Sequence, residues 1–107
     1  MRFEILFAPA ARDDIVNIRA YVAAQDGQNR ADWVNGELER VCSSLVDMPE
    51  RGNVPEELER AGSRSYREHH YKPYRIIYRI FESRVIVFGV FDGRRDMQTL
   101  LRQRLMR

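Results

Sequence analysis

The feature that most constrains the fold of this chain is residues 74–81, which read YRIIYRIF. β-Branched and aromatic side chains alternate there with a period of two, which is typical of a strand. The two faces of this strand would carry different chemistry: Tyr74, Ile76, Tyr78 and Ile80 on one side, and Arg75, Ile77, Arg79 and Phe81 on the other. Two guanidinium groups therefore lie on one face.

The residues that follow predict a β-hairpin. Glu82 and Ser83 form a short turn, and residues 84–91, reading RVIVFGVF, return as a strand that is apolar on both faces. Such a strand is expected at the centre of its sheet, with layers covering both sides at least partly. Asp92 and Gly93 then form a turn that leads into a C-terminal helix.

The rest of the chain supplies two long helices and two more strands. In chain order we expect a strand near a sheet edge at 2–7, helices over about 10–24 and 30–46, one helical turn at 55–60 and a strand over about 64–69. The two long helices are joined by a short turn, so they form an antiparallel helical hairpin.

This order predicts one α+β domain over residues 1–107, with the arrangement β-α-α-β-β-β(-α). Strands and helices run in separate groups, which favours an antiparallel-type sheet with the helical hairpin packed on one face. The apolar face of residues 74–81 is the natural partner of the helices. Arg67, Arg75 and Arg79 are then expected together on the opposite face.

Charge is distributed unevenly along the chain. Residues 1–59 hold 6 basic and 12 acidic side chains, whereas residues 60–107 hold 12 basic and 4 acidic ones, and 17 of all 18 basic residues are arginine. Arginine suits bidentate contacts to phosphate or carboxylate, so the second half has the composition of a surface that meets an anion. Alternatively, the two halves neutralise each other within the fold.

Several classes of protein are excluded by composition. No stretch approaches the roughly 20 apolar residues of a membrane span, and Glu4 interrupts the first apolar residues, so we expect neither a membrane protein nor a secretory signal. Cys42 is the only cysteine and lies on an apolar helix face, so it is interpreted as buried filler in a cytoplasmic protein.

The first candidate site is the arginine set Arg67, Arg75 and Arg79. Guanidinium groups on adjacent strands could bind a phosphodiester backbone or an acidic peptide. The alternative is cross-strand pairing with Glu68, Glu82 or acidic residues of the first half.

The second candidate is the segment Glu68-His69-His70-Tyr71, which contains both histidines of the chain. Cleavage of RNA needs a base, an acid and cations, which Glu68 or His70 together with the arginines could supply. Neighbouring strand residues point to opposite faces, however, which limits how many of these groups can converge. We expect no metal and no cofactor here, since two adjacent histidines without further ligands do not make a site.

With these segments in view, the sequence resembles toxins of the RelE/ParE superfamily from bacterial type II toxin–antitoxin modules. Five segments carry the resemblance in the family's order: FAPAARDDI at 7–15, MPERG at 48–52, YRE at 66–68, PYRIIYR at 73–79 and DGRRDM at 92–97. The resemblance implies the β-α-α-β-β-β(-α) fold, a cytoplasmic protein and a cognate acidic antitoxin of the ParD/RelB type that wraps the toxin.

The resemblance also implies two alternative activities. RelE-like members cleave mRNA on the ribosome, with basic residues on the sheet and typically a tyrosine or histidine near the C-terminus; ParE-like members inhibit DNA gyrase. This chain has neither His nor Tyr after Phe91, and its Arg94-Arg95-Asp96 resembles the ParE branch. Gyrase inhibition is therefore the first hypothesis. A plain nucleic-acid-binding domain is disfavoured because no recognition helix or stacking platform is visible.

Each hypothesis assigns its own residues. Ribonuclease activity would use Arg67, Glu68, His70, Arg75 and Arg79. Contact with gyrase is predicted at Arg94, Arg95, Arg102 and Arg104, which are basic residues around and within the C-terminal helix. Contact with the antitoxin is predicted at Ile18, Val22, Trp33, Tyr74, Arg75 and Arg79, because an amphipathic helical hairpin and a sheet edge offer a groove for a helix and a strand.

Overall fold

The computed structural model describes residues 3–106. The elements, in chain order, are β1 (Glu4–Phe7), α1 (Pro9–Asp26), α2 (Gln28–Ser43), α3 (Glu56–Arg60), β2 (Arg67–Tyr71), β3 (Tyr74–Phe81), β4 (Arg84–Asp92) and α4 (Met97–Leu105), with two 3₁₀ turns at Ser44–Val46 and Pro49–Arg51. The predicted order of strands and helices is confirmed. No helix among residues 3–106 is long and apolar enough to cross a membrane.

The helical hairpin turns on a single residue, Gly27. Pro9 begins α1, where its missing N–H costs nothing. Gly27 has a φ of 94°, a conformation that favours glycine, and its N–H donates to the carbonyl of Ala23. Its own carbonyl accepts the first hydrogen bond of α2, from the N–H of Ala31. The connection between α1 and α2 is therefore one residue long, shorter than the expected turn over residues 25–29.

The sheet has the strand order β1-β4-β3-β2. β2–β3 and β3–β4 are antiparallel, as expected, whereas β1 joins β4 in parallel through the pairs Glu4–Arg84 to Phe7–Val87. β4 is therefore central and β1 lies at an edge, which confirms both predictions. The parallel pairing follows from the helical hairpin, which carries the chain back across the sheet before β2 begins.

A hydrophobic core lies on each face of the sheet. The larger core joins α1 and α2 to one face through buried residues that include Leu38, Ile76, Tyr78, Val85 and Val87. Cys42 is buried in this core, as predicted, and burial raises the pKa of its thiol to about 12.

The second core lies on the other face, beneath α3 and α4. Its buried members are Leu58, Ile77, Phe91, Met97 and Leu101. The partial layer expected on this side of β4 is therefore present, over the half that contains Arg75. The short α3 and the C-terminal α4 supply enough apolar side chains to cover that half, and the other half remains uncovered.

Candidate functional site

Arg67 does not lie with Arg75 and Arg79. The register of β2 with β3 sets Arg67 opposite Tyr78, so Arg67 shares the face of Tyr78, which is the face that packs on the helical hairpin. Its Nη1 donates to the carbonyls of Glu50, at 3.2 Å, and Gly52, at 2.8 Å. The predicted three-arginine set on one face is wrong, because a register shift of one residue moves a side chain to the other face.

Arg75 lies in a carboxylate cage. Its Nε donates to Glu68 Oε1 at 2.5 Å, and its Nη1 and Nη2 donate to the two oxygens of Glu57 at 2.7 and 2.6 Å. These hydrogen bonds raise the pKa of Arg75 further above its ordinary value and hold the pKa of Glu57 below its own. The side chains of Arg75, Glu57 and Glu68 are only 16%, 18% and 5% exposed, so this cluster is an internal ion-pair network.

The histidines divide between the two sheet faces, as the alternation of a strand requires. His70 lies opposite Arg75, and its Nε2 is 3.1 Å from Glu68 Oε1. His69 lies opposite Ile76 on the other face, where burial lowers its pKa, with a smaller contribution from the charge of Arg51. Only Glu68 and His70 therefore approach the arginine, and Glu68 is already committed to it.

The Arg75 cluster is a poor binding site for phosphate. One guanidinium faces two carboxylates, so the three side chains together carry net negative charge. A phosphate group would have to displace carboxylates that hold bidentate, largely buried hydrogen bonds. Among residues 3–106, no group of three or more His, Cys, Asp and Glu is arranged to bind a metal ion.

Two of the four arginines predicted to contact the target form ion pairs with other residues of the chain: Arg104 is partly buried and Arg94 is exposed. Arg104 donates from Nη1 and Nη2 to the two oxygens of Asp14, at 2.9 and 3.1 Å, and its guanidinium lies over the ring of Phe91. Arg94 donates from Nε and Nη2 to Asp92, which lowers the pKa of that carboxyl. Arg95 and Arg102 are exposed. Asp96 caps α4 by accepting from the N–H of Thr99.

The ion pair between Asp14 and Arg104 has a structural task at the end of β1. Phe7, the last residue of β1, pairs with Val87, so β4 has no strand neighbour on that side beyond this point. The N–H of Val90 donates to Asp14 Oδ2 instead, and the carbonyl of Phe88 accepts from Arg104. This satisfies backbone groups that would otherwise lack partners.

An aromatic strip runs along the rim where the helices meet the sheet. It consists of Tyr21, Trp33, Tyr71 and Tyr74. Tyr21 and Tyr74 line a cavity of about 360 Å³ together with Ile18, Tyr71 pairs with Tyr74 across β2 and β3, and the rings of Trp33 and Tyr71 are 6.4 Å apart. Tyr21 is 65% exposed and Trp33 is 51% exposed. Exposure this high is unusual for large aromatic side chains.

Two of the residues predicted to contact the antitoxin belong to this strip, and a third lies beside it. Tyr74 and Trp33 belong to it and Ile18 borders it, whereas Val22 is buried in the core beneath it. Tyr21 is not among the predicted contacts, although its position three residues after Ile18 on the same helix is the signal that could have identified it. Arg30, whose guanidinium lies 4.7 Å from the centre of the Trp33 ring, adds a cation to the strip.

Comparison with known proteins agrees with this architecture. A family model described as "ParE toxin of type II toxin-antitoxin system, parDE" matches residues 5–97. No curated protein matches the chain in sequence.

Solved structures share the fold at low sequence identity. A chain of the chromosomal ParDE system from P. aeruginosa has a TM-score of 0.74 at 12% identity and covers 85% of this chain and 96% of that chain. A chain of a RelBE toxin–antitoxin complex from Mycobacterium tuberculosis has a TM-score of 0.58 at 19% identity and covers 86% and 99%. An E. coli RelE mutant in the free state has a TM-score of 0.62 at 13% identity and covers 94% and 93%.

The family model spans nearly the whole chain, and the structures with this fold come from ParDE and RelBE systems. The fold, the segment order and the model match agree on one assignment. The chain belongs to the ParE toxin family of type II toxin–antitoxin systems, within the RelE/ParE superfamily.

Proposed function

We propose that this toxin acts in the cytoplasm as a non-enzymatic inhibitor of DNA gyrase. The observation that carries the proposal is the state of Arg75 and Glu68, the two most central of the residues predicted for RNA cleavage. They neutralise each other at 2.5 Å beneath α3, so neither is free to bind phosphate or to move a proton. Membership of the ParE family supports the same activity.

The alternative, a ribosome-dependent endoribonuclease, requires more rearrangement. Arg67 faces the hairpin side of the sheet, so of the residues predicted for cleavage only Arg79 and His70 remain exposed on the other face. One cation and one imidazole do not supply the base, acid and charge stabilisation that cleavage needs.

A supercoiling assay with purified toxin and gyrase tests the proposal, with mRNA in a translating extract as the parallel reaction. We expect loss of supercoiling while the mRNA stays intact. Codon-periodic cuts in the mRNA with normal supercoiling would reject gyrase inhibition and favour the endoribonuclease.

We also propose that the aromatic strip receives an acidic, amphipathic segment of the cognate antitoxin. Large, half-exposed rings are the side chains that dominate binding energies at protein interfaces. Arg30 and Arg95 lie at the strip and in the adjoining cavity, so they provide charge complementarity for carboxylates. The structures from ParDE and RelBE systems support the existence of such a partner.

Substitution of Tyr21 and Trp33 by alanine should weaken antitoxin binding, by about 2 kcal/mol for each residue if it is an anchor. Isothermal titration with the purified cognate antitoxin measures this change. Val16→Ala is the matched control, because Val16 is also an exposed apolar residue of α1, 65% accessible, but lies in a different groove. Equal affinities for all three variants would reject the strip as the antitoxin site.

A further inference from the structure

The uncovered half of the second sheet face carries a contiguous apolar and basic surface, which we name the hairpin-end patch. Its members are Leu6, Arg79, Phe81, Arg84 and Ile86. α3 and α4 cover the opposite half of the same face, around Ile77 and Phe91. Among residues 3–106, no element packs over the hairpin-end patch.

Strand register makes the patch continuous. Leu6 lies opposite Ile86, and Ile86 lies opposite Arg79, so these three side chains form one row across β1, β4 and β3. In the next row on the same face, Arg84 lies between Phe81 and Glu4. Diagonal neighbours in successive rows are about 7–8 Å apart, within reach of long and aromatic side chains, so the two rows form one surface.

The exposure of this patch is not explained by the fold. Leu6 is 39% and Phe81 49% exposed, although both belong to regular strands whose other face is buried. Exposed apolar surface on one face of a sheet, bordered by charge, is typical of a site that another molecule covers.

The charges of the patch indicate the chemistry of its occupant. Unlike Arg75, Arg94 and Arg104, Arg79 forms no hydrogen bond or ion pair with another residue of 3–106. Arg84 has only an ion pair with Glu4 at 3.9 Å, with both side chains more than half exposed, and such pairs contribute little. Two available cations beside an apolar centre fit a protein segment with carboxylates and apolar side chains. An RNA backbone would need more cations and no aliphatic centre.

We propose that the hairpin-end patch is the surface with which this toxin contacts its target, and that the occupant is an acidic, amphipathic segment of that protein. The identification of the occupant with the target rests on the proposed function. The aromatic strip is a separate surface. Tyr71 and Tyr74 pack against the larger core on the face of the sheet that carries the helical hairpin, whereas Arg79 and Phe81 lie on the opposite face. The toxin therefore has two binding surfaces on opposite sides of one sheet.

Charge reversal and apolar-to-acidic substitution test this proposal in the intact chain. Arg79→Glu and Phe81→Asp are compared with Arg12→Glu and Val16→Asp, which place the same changes on the exposed side of α1. The toxin concentration for half-inhibition of gyrase, the affinity for the antitoxin and the urea midpoint are measured for all four. We expect the patch variants to need at least tenfold more toxin, with antitoxin affinity changed less than twofold, and the control variants to match the unmodified chain.

Other outcomes contradict the proposal in distinguishable ways. Unchanged inhibition by folded patch variants overturns it. Loss of antitoxin affinity alone assigns the patch to the antitoxin, and a change from dimer to monomer in sedimentation, with inhibition retained, assigns it to a second copy of the chain. If the unmodified toxin does not inhibit gyrase, the proposed function fails first. Growth arrest in cells then tests whether the patch contacts another target. Loss of arrest in the patch variants supports the patch as a target surface, and arrest that persists in both variants overturns it.

Discussion

Arg75 shows how a functional prediction for a single residue depends on its partners. The alternation of β3 places it on the expected face, but Glu57 and Glu68 surround it there. Its largest contribution is therefore to stability. Removal of one partner from a buried ion pair leaves charges without compensation.

Arg75→Ala should lower the free energy of unfolding by about 3 kcal/mol, because Glu57 and Glu68 would remain partly buried without their counter-ion. Arg79→Ala, on the same strand and face but exposed, should change it by no more than about 0.5 kcal/mol. Urea unfolding of both variants measures the difference. Equal stabilities would mean that the carboxylate cage contributes nothing to the fold.

Gly52 is a second residue whose importance lies in contact distance. A Cβ at this position would lie 2.4 Å from the carbonyl oxygen of Glu68 and 2.5 Å from the Tyr78 hydroxyl. That hydroxyl accepts from the N–H of Gly52 and donates to the carbonyl of Pro49. The close approach of the two backbones therefore requires glycine.

Gly52→Ala should destabilise the protein by about 1–3 kcal/mol, the usual effect of forcing an extra carbon into a packed site. Gly36→Ala is the opposite case: a Cβ there meets nothing within 4 Å, and alanine favours a helix by about 0.5–1 kcal/mol. Thermal unfolding should move in opposite directions for the two variants. A Gly52→Ala protein as stable as the parent would contradict the packing described around Tyr78.

At the scale of elements, α3 is attached to the sheet by one ion pair and one buried leucine. Glu57 bonds to Arg75 and Leu58 enters the second core. The hydrogen bond from Arg75 holds the pKa of Glu57 below its ordinary value of 4.5. The stability that this pair contributes is therefore complete above about pH 4.5 and is lost as pH falls through the lower pKa of the folded state.

Glu57→Gln should remove this part of the pH dependence. The variant should be less stable than the parent at pH 7. The difference in unfolding free energy should narrow below about pH 4.5, where Glu57 is protonated first in the unfolded chain and only at lower pH in the folded one. Unfolding free energies measured from pH 3 to pH 7 give the two curves. Parallel curves over that range would show that Glu57 is not linked to folding through its charge.

Local sequence patterns predict the helices and strands themselves, but they do not predict which element covers which side chain. Alternation over residues 74–81 and the doubly apolar residues 84–91 predicted β3 and the central β4, both confirmed. The face of Arg67 depended on the register of β2, which no local pattern specifies. The covering of Arg75 depended on α3, a helix of five residues whose Glu57 lies 18 positions from its partner. Long-range pairing of this kind leaves no periodic signal in the sequence.

At the scale of the whole molecule, both interpretations of the uneven charge hold, each for different arginines. Arg75 and Arg104 pair with carboxylates of the acidic first half, so part of the asymmetry is neutralised within the fold. Arg79, Arg95 and Arg102 remain exposed and form no ion pair within residues 3–106. Only the arginines that form no ion pair within the fold are therefore available to bind a partner. Because they are few, a protein partner with a few carboxylates fits better than a long polyanion.

If the toxin acts by binding and not by catalysis, its inhibition of gyrase is stoichiometric, and a titration shows whether it is. Toxin is titrated into gyrase held at several fixed concentrations that exceed the dissociation constant, and residual supercoiling is recorded. For an inhibitor that binds, the amount of toxin at half-inhibition rises in proportion to the amount of gyrase. Inactivation by far less than one toxin per gyrase, growing with time of incubation, would contradict the account and show that the toxin is an enzyme.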